Sequence, residues 1–229
     1  MMKQKLKYLF GFFILILTIE LNAQTTQMVN NDNTIDRDFV ATSAFKKKIL
    51  EQRITEKEIN LFLEKNTDSL YSIYLVNKTS DSILISTQDW HLYLIQEAKD
   101  QNGDWKPIEY WEYSNCGNSY LTEKLGPNGI LKTESLVYSG LLETEIRFKL
   151  LNNNQIYYSN SIIGFINDSQ FSVPKNITDN RRYVIANHFG GSELANKILF
   201  LEPNGTKELA EKHDAYLKRM AELREKNRN

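Results

Sequence analysis

Cysteine and histidine are scarce in this chain, and their scarcity limits its chemistry. Cys116 is the single cysteine among 229 residues, so no disulfide can form within the chain, and burial and backbone pairing must stabilise the fold. The histidines are far apart, and no HExxH or CxxC motif is present: His91, His188 and His213. Because metal ligands are usually closely spaced in such motifs, we expect neither a metal site nor a cofactor.

Other signatures of function are missing as well. Glycine is sparse, at ten residues, and no GxGxxG, GxxxxGK[ST] or GxSxG motif indicates a nucleotide-binding loop or a hydrolase nucleophile. The formal net charge of -1 gives no basic surface for nucleic acid. Beyond residue 23, no apolar run approaches the roughly 20 residues of a membrane-spanning helix, so we expect no transmembrane segment after signal cleavage.

The N-terminus has the pattern of a secretory signal peptide. Lys3, Lys5 and Lys7 precede an almost wholly apolar run over residues 8–19, and the small residue Ala23 follows. A charged start, an apolar middle and a small residue at the cut are typical of such signals. We therefore expect cleavage after residue 23 and export to the periplasm, the outer envelope or the medium.

The remaining chain divides by composition and periodicity. Residues 24–42 are rich in Asn, Asp and Thr and are predicted to be a flexible leader. A short helix with Ser43 as its N-cap begins a β-rich domain over 43–205. Residues 206–229 end the chain as an amphipathic helix over 206–226, with one apolar stripe formed by Leu209, His213, Tyr216, Leu217, Met220 and Leu223.

Alternation with a period of two indicates strands from about residue 58 onward. The clearest strand is 143–150, where we expect one face to be buried (Ile146, Phe148 and Leu150) and the other exposed (Glu145, Arg147 and Lys149). Asn102-Gly103, Gly126-Pro127-Asn128-Gly129 and Asn152-Asn153-Asn154 predict turns. RRYVIA and KILFL, within 171–205, read as short strands around a Gly190-Gly191 loop.

These patterns predict a mainly β protein, an antiparallel immunoglobulin-like sandwich with a short N-terminal helix and a C-terminal amphipathic helix. The stretches IEYWEYSNCGNSY, YSGLLETEIRFKL and IYYSNSIIGFIN resemble a group of uncharacterised exported proteins of Gram-negative bacteria. The resemblance covers roughly residues 70–170. It implies an immunoglobulin-like fold and an exported protein, and it implies no activity or ligand.

One cluster of aromatic residues stands out. All three tryptophans fall between residues 90 and 111, with tyrosines among them. Exposed Trp and Tyr are enriched at binding hot spots, whereas buried rings would simply fill the core. The candidate ligand-binding residues are Trp90, Tyr93, Trp105, Tyr110, Trp111 and Tyr113.

The most favoured function is a non-catalytic binding or envelope-associated module that recognises a protein or a glycan through this segment. A first alternative is a hydrolase that uses carboxylates near the same aromatics: Asp89, Glu97, Glu109 and Glu112. A second is a structural envelope subunit that docks through helix 206–226. We assign no catalytic residue, and we expect Cys116 to be a buried small side chain rather than a nucleophile.

Overall fold

The computed structural model describes residues 33–52, 57–173, 177 and 180–226. The predicted signal peptide and residues 24–32 of the leader lie outside the described residues. The protein is mainly β, as predicted. Its strands are β1 Ile59–Lys65, β2 Leu70–Asn77, β3 Ile83–Gln88, β4 His91–Leu92, β5 Leu94–Lys99, β6 Trp105–Pro107, β7 Tyr120–Leu125, β8 Ile130–Leu136, β9 Leu142–Asn152, β10 Gln155–Tyr158 and β11 Ile162–Ile166.

Within the described residues, these strands form three antiparallel sheets. One has the order β1-β2-β8, a second has the order β4-β3-β7, and the third has the order β10-β9-β5-β6. The long strand β9 organises the third sheet, because β5 pairs along one edge while β10 and β11 share the other. A single apolar core collects inward side chains from all three sheets, among them Leu61, Ile73, Ile85, Leu94 and Phe148.

Residues 33–42 differ from the predicted flexible leader. Ile35 is 5% exposed and belongs to the core, and isolated bridges join Thr34 to His91 and Ile35 to Thr133. The Asn33 side chain donates a hydrogen bond to the carbonyl of Leu94 at 2.6 Å. The polar composition of this segment does not leave it free, because its backbone and amide groups complete the edges of the sheets.

The N-terminal helix α1, Ser43–Glu51, is confirmed as a short helix. Its N-cap is Thr42 rather than Ser43, since the Thr42 hydroxyl accepts a hydrogen bond from the Phe45 N–H. Ile49 packs with Phe62 and Tyr74. The helix therefore covers the face of β1 and β2 that points away from the core.

The C-terminal part is helical where two strands were predicted. RRYVIA lies in α2, Arg181–Leu199, and KILFL spans the end of that helix, over residues 197–201. The predicted loop is a kink at Gly191 with φ 69 and ψ -173. Glycine reaches that conformation readily, whereas other residues are strained there. The predicted final helix is confirmed as α3, Gly205–Lys226. Among the described residues, no helix combines the length and the apolar character needed to cross a membrane.

The apolar stripe of α3 is only partly covered. Leu209 is buried in a cluster with residues of α2, and the ring of Tyr216 contacts that of Phe189 at 5.5 Å between centroids. Farther along, Leu217 and Leu223 are about half exposed. The helix is thus anchored by its first turns and solvated beyond them.

The register of β9 is confirmed, but its second face is not exposed as predicted. Ile146, Phe148 and Leu150 are buried in the core, while the Lys149 side chain on the opposite face is only 2% exposed. Its ammonium lies 2.6 Å from Glu202 and 3.3 Å from Glu97. Arg147 also pairs with Glu97, at 2.6 Å. The segment that joins α2 to α3 packs over this face of β9 through Glu202. The sequence pattern alone does not indicate this contact.

This burial changes the expected effect of removing the Lys149 charge. Lys149→Ala leaves Glu97 and Glu202 with less compensation, so we expect it to lower the free energy of unfolding by about 1–3 kcal/mol. Phe148→Ala should cost about 3–5 kcal/mol because it leaves a core cavity. Lys124→Ala, at an exposed position of β7, is the control and should stay within about 0.5 kcal/mol. Urea unfolding measures all three, and equal midpoints for Lys149→Ala and Lys124→Ala would contradict the buried ion pairs.

Candidate binding site

A surface pocket of about 360 Å³ lies where β3, β7 and the β9–β10 turn meet the starts of α2 and α3. We call it the tyrosine pocket, because three tyrosines contribute to its wall. Its lining residues are Ser86, Tyr93, Tyr113, Tyr120, Leu151, Asn153, Asn154, Arg182 and Thr206. This volume is at the lower end of the ~300–1,000 Å³ typical of small-molecule sites.

Two of the predicted binding residues meet in this pocket. The ring of Tyr93 lies 5.7 Å from the ring of Tyr113, with 31° between their planes. Beside Tyr93, the Trp111 ring packs at 5.0 Å, and the backbone N–H of Trp111 donates to the carbonyl of Leu199 at 2.8 Å. Trp111 thus supports the tyrosine wall and ties it to the end of α2.

Arg182 and Tyr120 form the polar part of the wall. The Tyr120 hydroxyl donates to the carbonyl of Ser114 at 2.6 Å and accepts from Arg182 Nη2 at 3.1 Å. The Arg182 guanidinium also lies 5.3 Å from the ring centroid of Tyr113, within cation–π range. Arg182 is placed by the start of α2, where the Asn180 side chain accepts from the backbone N–H groups of Arg182 and Tyr183.

The opposite rim joins a sheet turn to the last helix. Asn153 and Asn154 adopt positive φ angles of 47° and 64°, a combination that suits the tight β9–β10 turn. Asn154 Nδ2 donates to Asn204 Oδ1 at 2.5 Å, and the Asn204 N–H donates back to Asn154 Oδ1. This reciprocal pair fixes the chain just before Thr206, in the first turn of α3.

Tyr93 and Tyr113 are available in the pocket as hydrogen-bond donors. Burial raises the pKa of Tyr93, and Tyr120 and Asp89 raise it further while Arg182 opposes them. Burial also raises the pKa of Tyr113, with Arg182 again opposing. Both phenols therefore stay protonated at neutral pH. Among the described residues, neither hydroxyl has a hydrogen-bond partner, although Tyr93 is only 8% exposed.

The other predicted binding residues lie elsewhere. Tyr110 and Trp111 are each 3% exposed and belong to different apolar clusters. These two rings lie in different parts of the structure, and both are packed in its interior. Trp105 packs under Arg147 at 4.2 Å, and Trp90 is 40% exposed beneath the guanidinium of Arg37 at 4.0 Å. The predicted residues therefore lie at four separate locations rather than on one surface.

The candidate carboxylates do not form a catalytic pair at the pocket. Glu109 is buried and accepts hydrogen bonds from Gln96 and from the Tyr138 hydroxyl, and Glu97 is paired with Arg147 and Lys149. No Asp or Glu is among the described residues that line the pocket. Across the described part of the chain, no cluster of three or more His, Cys, Asp or Glu side chains could hold a metal ion.

The expected burial of Cys116 is wrong, because its side chain is exposed. It lies just before a single 3-10 turn, Gly117–Ser119, and its N–H donates to the Ser114 hydroxyl at 3.1 Å. The local polar groups of this loop keep the chain at the surface. The free thiol therefore contributes nothing to the apolar core.

Only Tyr93 and Tyr113 of the described pocket residues were predicted as binding residues, and Arg182 and Thr206 are among those that sequence reasoning missed. Both begin helices, and Arg182 lies in a stretch that the pattern assigned to a strand. A helical assignment with Asn180 as N-cap would have placed Arg182 in a first turn, where side chains at a helix start converge on neighbouring loops. The sequence predicted a turn at Asn153 and Asn154, but it did not indicate that these residues line a pocket.

Comparison with known proteins gives no relative from which a role could be transferred: neither a protein-family model nor a curated protein sequence matches this chain. The geometry of the pocket is consequently the basis for a proposed function.

The three tryptophans should differ in access to an aqueous quencher. We expect acrylamide to quench Trp90 strongly, because 40% of it is exposed, and to leave Trp111 unquenched at 3% exposure. Trp90→Phe should then remove a large part of the quenchable fluorescence, whereas Trp111→Phe should leave the quenchable part unchanged. Stern–Volmer titration measures this. Quenching that persists after Trp90→Phe and is lost after Trp111→Phe would contradict the placement of these rings.

Proposed function

We propose that this chain is an exported, non-catalytic binding module that holds a glycan in the tyrosine pocket. The observation that carries the proposal is the set of three tyrosines, Tyr93, Tyr113 and Tyr120, on the wall of one concave pocket. A tyrosine offers an apolar ring face and a hydroxyl together. A sugar ring has the complementary combination, with apolar C–H faces and a rim of hydroxyl groups.

A glycan suits this pocket better than a protein surface does. Specific protein interfaces bury about 800 Å² on each partner and are broad, whereas this pocket is small and concave. The absence of carboxylates from its described lining residues favours binding over hydrolysis, because glycoside hydrolysis normally uses a pair of acidic side chains.

We also propose that the sheets are arranged as an immunoglobulin-like sandwich. Two findings support this arrangement: the antiparallel pairing of all the named strands, and the single core shared by the three sheets. The resemblance of residues 70–170 to exported immunoglobulin-like proteins points the same way. In such sandwiches the loops at the sheet ends commonly carry the binding residues.

Glycan binding can be tested by truncating one pocket ring. Tyr113→Ala should weaken binding by about 2 kcal/mol or more, as expected for a hot-spot aromatic, because it removes the ring that lies against both Tyr93 and Arg182. The measurement is binding to an array of neutral and acidic bacterial oligosaccharides, followed by calorimetry on the best binder. Tyr216→Ala, an exposed tyrosine on α3 outside the pocket, is the control. No glycan binding by the folded wild-type protein, or equal losses in both variants, would overturn the proposal.

Export can be tested on protein recovered from a Gram-negative host. We expect the mature chain to begin at Gln24, because Ala23 supplies the small residue at the cut. Intact-mass measurement of the envelope fraction should show loss of residues 1–23. Ala23→Tyr should block cleavage and leave a longer species in the membrane fraction. A wild-type chain that retains residues 1–23 would contradict the signal assignment.

A further inference from the structure

The tyrosine pocket presents a positively charged side chain, Arg182. Among the described residues that line it, Arg182 alone carries a charge, and none of the described carboxylates forms an ion pair with it. Its side chain is half-buried. A guanidinium on a pocket wall that no carboxylate neutralises is available to an anionic ligand. The positive charge of Arg182 therefore indicates an anionic ligand.

Arg182 is also held in a defined orientation. The Tyr120 hydroxyl donates its hydrogen bond to the carbonyl of Ser114, and its oxygen accepts a hydrogen bond from Arg182 Nη2. The contact with the Tyr113 ring holds the guanidinium plane from another side. A guanidinium has five N–H donors in a fixed fork, so donors remain for an anion after the bond to Tyr120 is made.

A second and independent feature points to a ligand in the same place. Tyr93 lines the pocket, and its hydroxyl has no hydrogen-bond partner among the described residues. That oxygen is not one of their buried unpaired polar atoms, so it is accessible to solvent and to a ligand. A ligand acceptor inside the pocket would satisfy this donor.

We propose that the pocket selects an acidic saccharide, with the carboxylate or phosphate group of the sugar bound by Arg182 and a neighbouring ligand oxygen bound by the Tyr93 hydroxyl. Carboxylates and phosphates match the fork of an arginine, and such charge-assisted hydrogen bonds are the strong ones. The polar side chains Ser86, Asn153 and Thr206, on the remaining wall, suit the hydroxyl groups of the same sugar. This inference rests on the proposed glycan-binding function and specifies its ligand class.

The test uses matched pairs of ligands and matched variants. Oligosaccharides that contain uronic acids are compared with their carboxyl-reduced forms, and sugar phosphates with the corresponding free sugars, by calorimetry at low and high salt. The variants are Arg182→Gln, Arg182→Lys and, as the control, Arg181→Gln. Arg181 is the preceding residue of α2, is exposed and does not line the pocket, so its substitution removes the same charge from the same helix.

We expect at least one acidic ligand to bind about tenfold or more tightly than its neutral partner, which is the effect of one charge-assisted hydrogen bond. Arg182→Gln should abolish this preference, and Arg181→Gln should keep it. Arg182→Lys keeps the charge but loses the fork, so it should retain part of the preference and its salt dependence. The uronate and phosphate series show which anion the pocket accepts.

Two results would overturn the inference, and they differ in what they say about the proposed function. Equal binding of acidic and neutral partners, or a preference that survives Arg182→Gln in a protein of unchanged melting temperature, would refute anion selection and leave glycan binding intact. No binding of any acidic or neutral saccharide would refute both. If Arg182→Gln unfolds, Arg182→Lys and the salt dependence of the wild-type protein decide the outcome.

Discussion

The buried ammonium of Lys149 is the contact on which the rest of the structure depends. It lies on the outer face of β9 and joins Glu97 of β5 to Glu202, in the segment that precedes α3. Loss of either partner would leave this buried charge with less compensation. The interaction therefore fixes the helical layer against the sheet. The tyrosine pocket needs that placement, because its wall combines Tyr93 and Leu151 with Arg182 and Thr206.

The fold was predictable from the sequence wherever a strand has one apolar and one polar face. The register of β9 follows from the spacing of Ile146, Phe148 and Leu150, and the turns at Asn102-Gly103 and Asn153-Asn154 follow from local conformational preference. The helix α2 was not predictable in this way. The RRYVIA and KILFL stretches suit a strand or a helix, and packing between α2 and α3 decides between them.

The candidate site was only half visible in the sequence for a related reason. Clustering of aromatic residues identified Tyr93 and Tyr113, but spacing along the chain could not separate rings that line a pocket from rings, such as Tyr110, that fill the interior. Arg182 follows Tyr113 by about seventy positions, and only the tertiary fold brings the two side chains together. Long-range convergence of this kind has no local periodicity, so a pattern of residues cannot reveal it.

The short N-terminal segment has a consequence for the order in which the chain folds. The Thr133 hydroxyl donates to the carbonyl of Thr34 across 99 positions of sequence, and Asn33 reaches Leu94 across 61. A ribosome delivers this segment first and its partners much later, so no early intermediate can complete the sheet edge that the segment closes. Contacts of such separation slow folding. The proposed export would gain from this delay, because the native topology cannot close before strand β8 has arrived.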